Sequence, residues 1–251
     1  MIVLFYFLFR SQNHYDKHII EKPFPDEWRS ILNEYVKYYR ELEFERKKEF
    51  EKRVQLFLAT KKIEPIDTEI DDSVKLMVAA SAIIPMFAFP EYNYPRLREV
   101  LIYPNSFDQK FRTERFWGHE ENVVGMVGNR FMNSTMILSK PELMRAYDGE
   151  SHTGNVGIHE FVHLVDKIDG EADGIPELLI KGEDIALWLR LIEDERMRID
   201  EGASDINNYA LKSNAEFLAV TSEYFFGHPE RFNAYHPELY QFLAHIYKQS
   251  L

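Results

Sequence analysis

Cysteine is absent from all 251 residues, which excludes a disulfide framework and any thiolate metal site. A metal centre in this chain must be built from histidine, aspartate or glutamate. Positive charge is also in short supply. Thirty Lys and Arg stand against 42 Asp and Glu, a formal net charge of −12, so nucleic acids and anionic membranes are poor partners. No internal repeat or low-complexity segment is visible. The opening run Met1–Phe9 is apolar but only nine residues long before Arg10 interrupts it. A membrane-spanning helix needs roughly 20. No basic stretch precedes the run and no small-residue cleavage site follows it, as a secretory leader would require. We read it as a short buried strand or helix, with a membrane-associated start as the alternative.

What the chain does contain is a pentapeptide, His159-Glu160-Phe161-Val162-His163. Histidines four apart on a helix project from one face, one turn apart, so both imidazoles can reach one metal ion, most often Zn²⁺. Glu160 is offset by one residue and sits beside such an ion. There it can take a proton from a bound water, the general-base role in zinc hydrolases. The flanks suit a helix over Asn155–Ile168. Thr153 or Asn155 can cap it, and Gly154 and Gly157 mark its start. Ile158, Phe161, Val162 and Val165 give it an apolar face, and Asp169-Gly170 reads as its end. Asp166 shares the histidine face and could orient a ligand histidine from behind. The plain alternative is a buried helix that happens to carry two histidines.

The rest of the chain frames that helix. At 251 residues, 14% of them aromatic, it can bury a bulky core. Pro23-Phe24-Pro25-Asp26 announces a helix carried by Trp28, Ile31, Leu32, Tyr35, Val36 and Tyr39. A second helix follows, with Phe50, Val54, Phe57 and Leu58 opposite a charged, solvated face. A third, Val74–Ile84, is apolar nearly all round and so reads as buried. Val100–Tyr103, Val123–Val127 and Thr135–Leu138 are strand candidates. Helical segments return over Glu183–Ile199, Ser213–Phe226 and Pro237–Lys248. We therefore expect an α+β, helix-rich, zincin-like fold with a small, mostly antiparallel sheet. We divide it into an N-terminal helical region, residues 1–95, and a catalytic region, residues 96–251, packed as one compact unit.

Two histidines do not hold a catalytic zinc; a third protein ligand is needed, with the fourth position left to water. Asp169 lies six residues past His163, the metzincin offset, but that arrangement breaks the helix at a glycine where this chain has Asp166. A downstream glutamate is the other route. Glu216 and Glu223 are seven apart and can share a helix face. Glu216 also fits a capping box, Ser213-Asn214-Ala215-Glu216, in which it would only return to the cap. Spacing alone leaves the two evenly matched.

Residues distributed along the chain carry a resemblance. They are Pro23–Trp28, Val100–Pro104, Ile158–Asp166, Gly174-Ile175-Pro176, Ala215-Glu216 and Ser222–Phe226. In these the chain resembles the Mlc titration factor A family of bacterial zinc peptidases, from about residue 23 to 235. The resemblance implies that Glu216 is the third metal ligand and that Glu223 stands behind the ligands. The family's catalytic region is similar to that of the anthrax lethal factor protease, which implies that Tyr209 faces the site. Its hydroxyl could then donate to the oxyanion of a tetrahedral intermediate, though a packing aromatic is the alternative. The resemblance also brings His119 beside a histidine assigned to metal binding, although Phe116–Glu121 departs from the family pattern.

The expectation is a gluzincin-like, HExxH, aminopeptidase-type zinc enzyme of the cytoplasm, with one Zn²⁺ per chain. Its substrate would be a peptide or protein, lying as an added strand within Val123–Leu138. The resemblance implies a rival from another class: a regulator that sequesters a transcriptional repressor, its metal site structural. Glu160 discriminates, because a purely structural zinc does not require it. A zinc hydrolase acting on a non-peptide bond is a third possibility.

Overall fold

The computed structural model describes residues 22–105, 125–127, 134–148 and 154–251. Met1–Phe9, His119 with the stretch Phe116–Glu121, Val123-Val124 and Thr153 lie outside the described residues.

The chain enters through α1 (Asp26–Tyr35), with Asp26 and Glu27 in its first turn, where acidic side chains meet the positive end of the helix dipole. The sequence pattern suggests one helix through Tyr39. Instead Val36 turns extended, with φ −102° and ψ 90°, and a separate short helix α2 (Lys37–Glu41) follows. Leu32 and Tyr39, on either side of the break, are both fully buried. Helix α3 (Phe44–Thr60) buries Phe50, Val54 and Phe57. After strand β1 (Lys62–Pro65), Asp71 caps α4 (Asp72–Ile83) by accepting from the Val74 N–H. That helix is buried at Val74 and continuously from Leu76 to Ile83, because α1, α3 and the later His159 helix pack around it.

Strands β2 (Glu99–Tyr103), β3 (Gly125–Val127) and β4 (Thr135–Ser139) join β1 in one sheet of order β1-β2-β4-β3. Here the expected fold class is corrected. β1 pairs with β2 in parallel and β2 with β4 in parallel; among the described strands only the edge pair β3–β4 is antiparallel. The physical reason is connectivity. The link from β1 to β2 contains α4, and a helical crossover returns a strand in the same direction, whereas a tight hairpin reverses it. β4 is buried at all five positions, the mark of a strand covered on both faces.

Helix α5 (Lys140–Arg145) leads to α6 (Val156–Asp166). Asn155 caps α6, its side chain accepting from the Ile158 N–H at 3.0 Å. Phe161 anchors α6, fully buried against Phe57 and Tyr94 with ring centroids 5.8 and 4.9 Å away. Such a ring contributes roughly 1.5–3 kcal/mol by burial. Four further helices close the molecule: α7 (Glu183–Asp200), α8 (Asn214–Gly227), α9 (Pro229–Tyr235) and α10 (Pro237–Tyr247). A 3-10 turn, Asn208–Leu211, precedes α8. Trp188 of α7 joins these layers, stacked on Phe242 at 5.0 Å and edge-on to Phe217 at 5.5 Å. One continuous cluster of buried apolar side chains runs from Phe24 to Tyr247. Among the described residues no helix is long and apolar enough to cross a membrane.

Candidate metal centre

Helices α6 and α8 pack against each other, and their facing sides place His159, His163 and Glu216 together. The Nε2 atoms of the two histidines are 3.1 Å apart. Glu216 Oε2 lies 3.0 Å from His159 Nε2 and 3.2 Å from His163 Nε2. The three atoms form a nearly equilateral triangle. A metal with bonds of about 2.0–2.1 Å at tetrahedral angles separates its ligand atoms by about 3.3 Å. The triangle therefore matches one face of a tetrahedron.

The hydrogen-bond chemistry of the triangle points the same way. On its outer edge the His159 ring meets Glu223, whose Oε1 lies 2.6 Å from Nδ1. A carboxylate there holds the proton on Nδ1 and turns the Nε2 lone pair toward the triangle. That lone pair then faces a carboxylate oxygen and a second imidazole nitrogen. Such a gathering needs a cation, either a proton or a metal ion. The titration behaviour reflects this demand. Burial disfavours the imidazolium, yet the charge of Glu223 and hydrogen bonds with Glu216 and Glu223 raise His159 well above the ordinary histidine value. Burial likewise opposes ionisation of Glu216, yet hydrogen bonds from His159 and His163 hold it far below the usual carboxylate range. The donor set fits a divalent metal of borderline softness such as zinc.

Glu160 is 5% exposed and accepts no hydrogen bond from any described residue. Burial raises its carboxyl above the ordinary value, against the pull of His159 and His163. A carboxylate left unbonded beside the triangle, with a raised affinity for protons, has the character of a base. Tyr209 sits on the 3-10 turn before α8, 42% exposed. Its ring is 6.0 Å from that of His159, and Lys212 Nζ lies over the same ring, 4.2 Å from its centroid.

The remaining candidates separate. Asp169 is exposed and accepts from the Glu171 N–H at 3.1 Å, turned into its own loop. Asp166 is fully buried, and both its oxygens accept from the Gly174 N–H, at 3.1 and 3.0 Å, so its hydrogen bonds go to that loop and not to a histidine. Burial pushes its carboxyl up to about 6. Ser213 caps α8 through the Glu216 N–H at 3.1 Å, but the Glu216 carboxylate faces the histidines. The capping signal and the histidine contact thus coexist on one residue. One participant escaped the sequence reading. A Cβ on Gly154 would lie 1.8 Å from Glu223 Oε2, so the carboxylate behind His159 occupies the space a side chain would take. Its only trace in the sequence is a glycine just ahead of the helix cap, which reads equally as a helix start.

Residues 10–248 match the family described as glucose-regulated metallo-peptidase M90. An uncharacterized protein of Synechocystis sp. is 29% identical over 244 residues, covering 92% of this chain and 87% of that one. The Mlc titration factor A of Cronobacter sakazakii is 31% identical over 204 residues, covering 77% and 75%. That of Escherichia fergusonii is 31% identical over 212 residues, covering 79% and 78%.

Proposed function

The chain belongs to the glucose-regulated metallo-peptidase M90 family, and from that premise we propose that it is a zinc-dependent peptidase of the cytoplasm, aminopeptidase-like in its cleavage. The observation that carries the reading is the triangle of His159, His163 and Glu216 with a buried carboxylate, Glu160, beside it that no described residue hydrogen-bonds. His159, His163 and Glu216 would hold one Zn²⁺. When bound, the ion supplies Lewis acidity, lowering the pKa of water and polarising the scissile carbonyl.

The chain's own residues do the rest. Glu160 takes the proton of the attacking water and later hands it to the leaving amine. Glu223 keeps the His159 ring oriented with its lone pair inward. Tyr209 donates to the carbonyl oxygen as it gains charge. The substrate peptide pairs along β3, the edge of the sheet that packs against α6, by addition of a strand. His119 is a candidate further ligand in the resting enzyme.

A second reading has its own support. Relatives covering most of the chain are named Mlc titration factor A, which favours a protein that binds a transcriptional repressor, with the metal site structural. A purely structural zinc has no use for Glu160, so that residue favours catalysis, and both roles can coexist. The deciding experiment is a peptide-library cleavage assay on wild type, on chelator-treated protein and on Glu160→Gln. Catalysis predicts cleavage by wild type alone. Equal cleavage by wild type and Glu160→Gln, or none by either, leaves the binding protein as the better reading.

A further inference from the structure

The triangle draws its ligands from two helices, and something must hold those helices in register. Asp166, three residues past His163 on α6, accepts twice from the Gly174 N–H, at 3.0 and 3.1 Å. Gly174 takes a left-handed φ of +78°, which glycine alone adopts without strain. It also presses on the start of α8. A Cβ at Gly174 would lie 2.4 Å from the carbonyl carbon and oxygen of Asn214 and 2.8 Å from the Ala215 nitrogen. The Gly174 carbonyl accepts from Trp188 Nε1 at 2.7 Å, and the Trp188 ring packs on Phe217. Glu216 is therefore gripped from both sides. Gly174 bears on the residues before it and Trp188 on the residue after it, while Asp166 ties that grip to the histidine helix.

We propose that Asp166, Gly174 and Trp188 form a positioning bridge that sets the Glu216 carboxylate at ligand distance from His159 and His163. The inference rests on the metal-centre reading but concerns how the site is assembled, not what it catalyses. None of the three residues touches a substrate or the metal; they act through Glu216. The mechanical logic is that of close packing. A buried contact transmits a displacement of a few tenths of an ångström because nothing beside it can yield, and metal bonds tolerate only about 0.2 Å.

The test is zinc affinity, measured by competition with a chromophoric chelator on folded full-length protein, so that no turnover is needed. Asp166→Ala removes the tie to α6. Trp188→Phe keeps the aromatic packing and removes only the N–H. Each should weaken zinc binding by about 10–100-fold, the usual scale for residues that support metal ligands. Lys61→Met is the control. It loses buried hydrogen bonds to the Tyr94 and Leu97 carbonyls at 2.8 and 3.0 Å, none of them to a residue of the bridge or the triangle, and should bind zinc as wild type does. Folded Asp166→Ala and Trp188→Phe proteins with wild-type affinity would overturn the bridge and leave the three-ligand site standing. A wild type that binds no zinc would overturn both together. If Asp166→Ala does not fold, Trp188→Phe decides alone.

Discussion

Two histidine–carboxylate clusters among the described residues are built from the same residue types and arranged for opposite ends. At the α6–α8 interface the Nε2 atoms of His159 and His163 and Oε2 of Glu216 converge on one point within about a bond length of all three. Near the carboxyl end of α7, His236 instead lies between two carboxylates on opposite edges of its ring. Its Nε2 is 2.7 Å from Asp205 Oδ1, and its Nδ1 is at ion-pair distance, 3.2 Å, from Glu195 Oε1, without hydrogen-bond alignment. The far oxygens are also taken. Arg198 bonds Glu195 at 2.8 Å, and Asp205 accepts from Tyr224 Oη at 2.7 Å and from Arg231 Nε at 3.0 Å. Convergent lone pairs ask for a metal; alternating charges satisfy themselves. Residue type does not separate a metal site from a buried ion pair, whereas the direction of the donor atoms does.

Four expectations would sharpen or break that contrast. The largest effect falls on Glu160, a carboxylate beside the triangle that accepts no hydrogen bond from any described residue. Glu160→Gln should retain zinc and the thermal midpoint while losing 10² to 10⁴-fold of peptidase activity, approximately the scale of a general base. The next falls on Tyr209. Tyr209→Phe keeps the ring beside His159 and removes the hydroxyl, so kcat should drop by about 10²–10³ with KM and zinc content near wild type. An unchanged kcat would return Tyr209 to the role of a packing residue.

At the other cluster the effect should be on stability alone. His236→Ala leaves two carboxylates facing across an uncharged gap. Removing one partner of a buried pair costs about 3–5 kcal/mol, and we expect the lower end because Arg198 and Arg231 still hold the far oxygens. Zinc content and turnover of the folded protein should not move; a loss of zinc in His236→Ala would merge two clusters we hold to be separate. The smallest effect is a pH dependence. Burial disfavours the His236 imidazolium, but contacts with Glu195 and Asp205 more than offset it and raise its pKa. Its contribution is therefore fully present below about pH 6.5, the ordinary histidine value, and is lost as pH rises through the higher folded value. Glu195 and Asp205 are held low despite burial, so their share is lost as pH falls through their lowered values. The difference in thermal midpoint between wild type and His236→Gln should be widest near pH 6 and shrink as pH rises through the raised His236 value.

Local signals in the sequence were readable, and long-range pairing was not. The helix bearing His159 announces itself through Asn155 and the spacing of Ile158, Phe161, Val162 and Val165, all within one short stretch. Strand β2 is a plain apolar run. β1, Lys62–Pro65, is four residues long with one apolar strand former, Ile63, and ends in proline, too weak a signal for a strand, and without it the crossover through α4 and the parallel pairing could not be inferred. The break at Val36 leaves no trace in the helical spacing, because Leu32 and Tyr39, seven apart, would share one face of an unbroken helix as well. Glu216 and Glu223 look equivalent on one helix face; only the packed position of α6 gives one the inner edge of His159 and the other its outer edge. The roles of Gly154 and Gly174 depend on what would collide with a side chain they lack. Glu195, Asp205 and His236 are too far apart in the chain to be read as one group.

The most direct test is metal content per chain, measured by elemental analysis on wild type, Glu216→Ala, Asp169→Ala and His236→Ala purified side by side. We predict about one zinc in wild type, in Asp169→Ala and in His236→Ala, and close to none in Glu216→Ala, since a catalytic zinc needs three protein ligands. Full zinc in Glu216→Ala together with its loss from Asp169→Ala would contradict the triangle as the metal site.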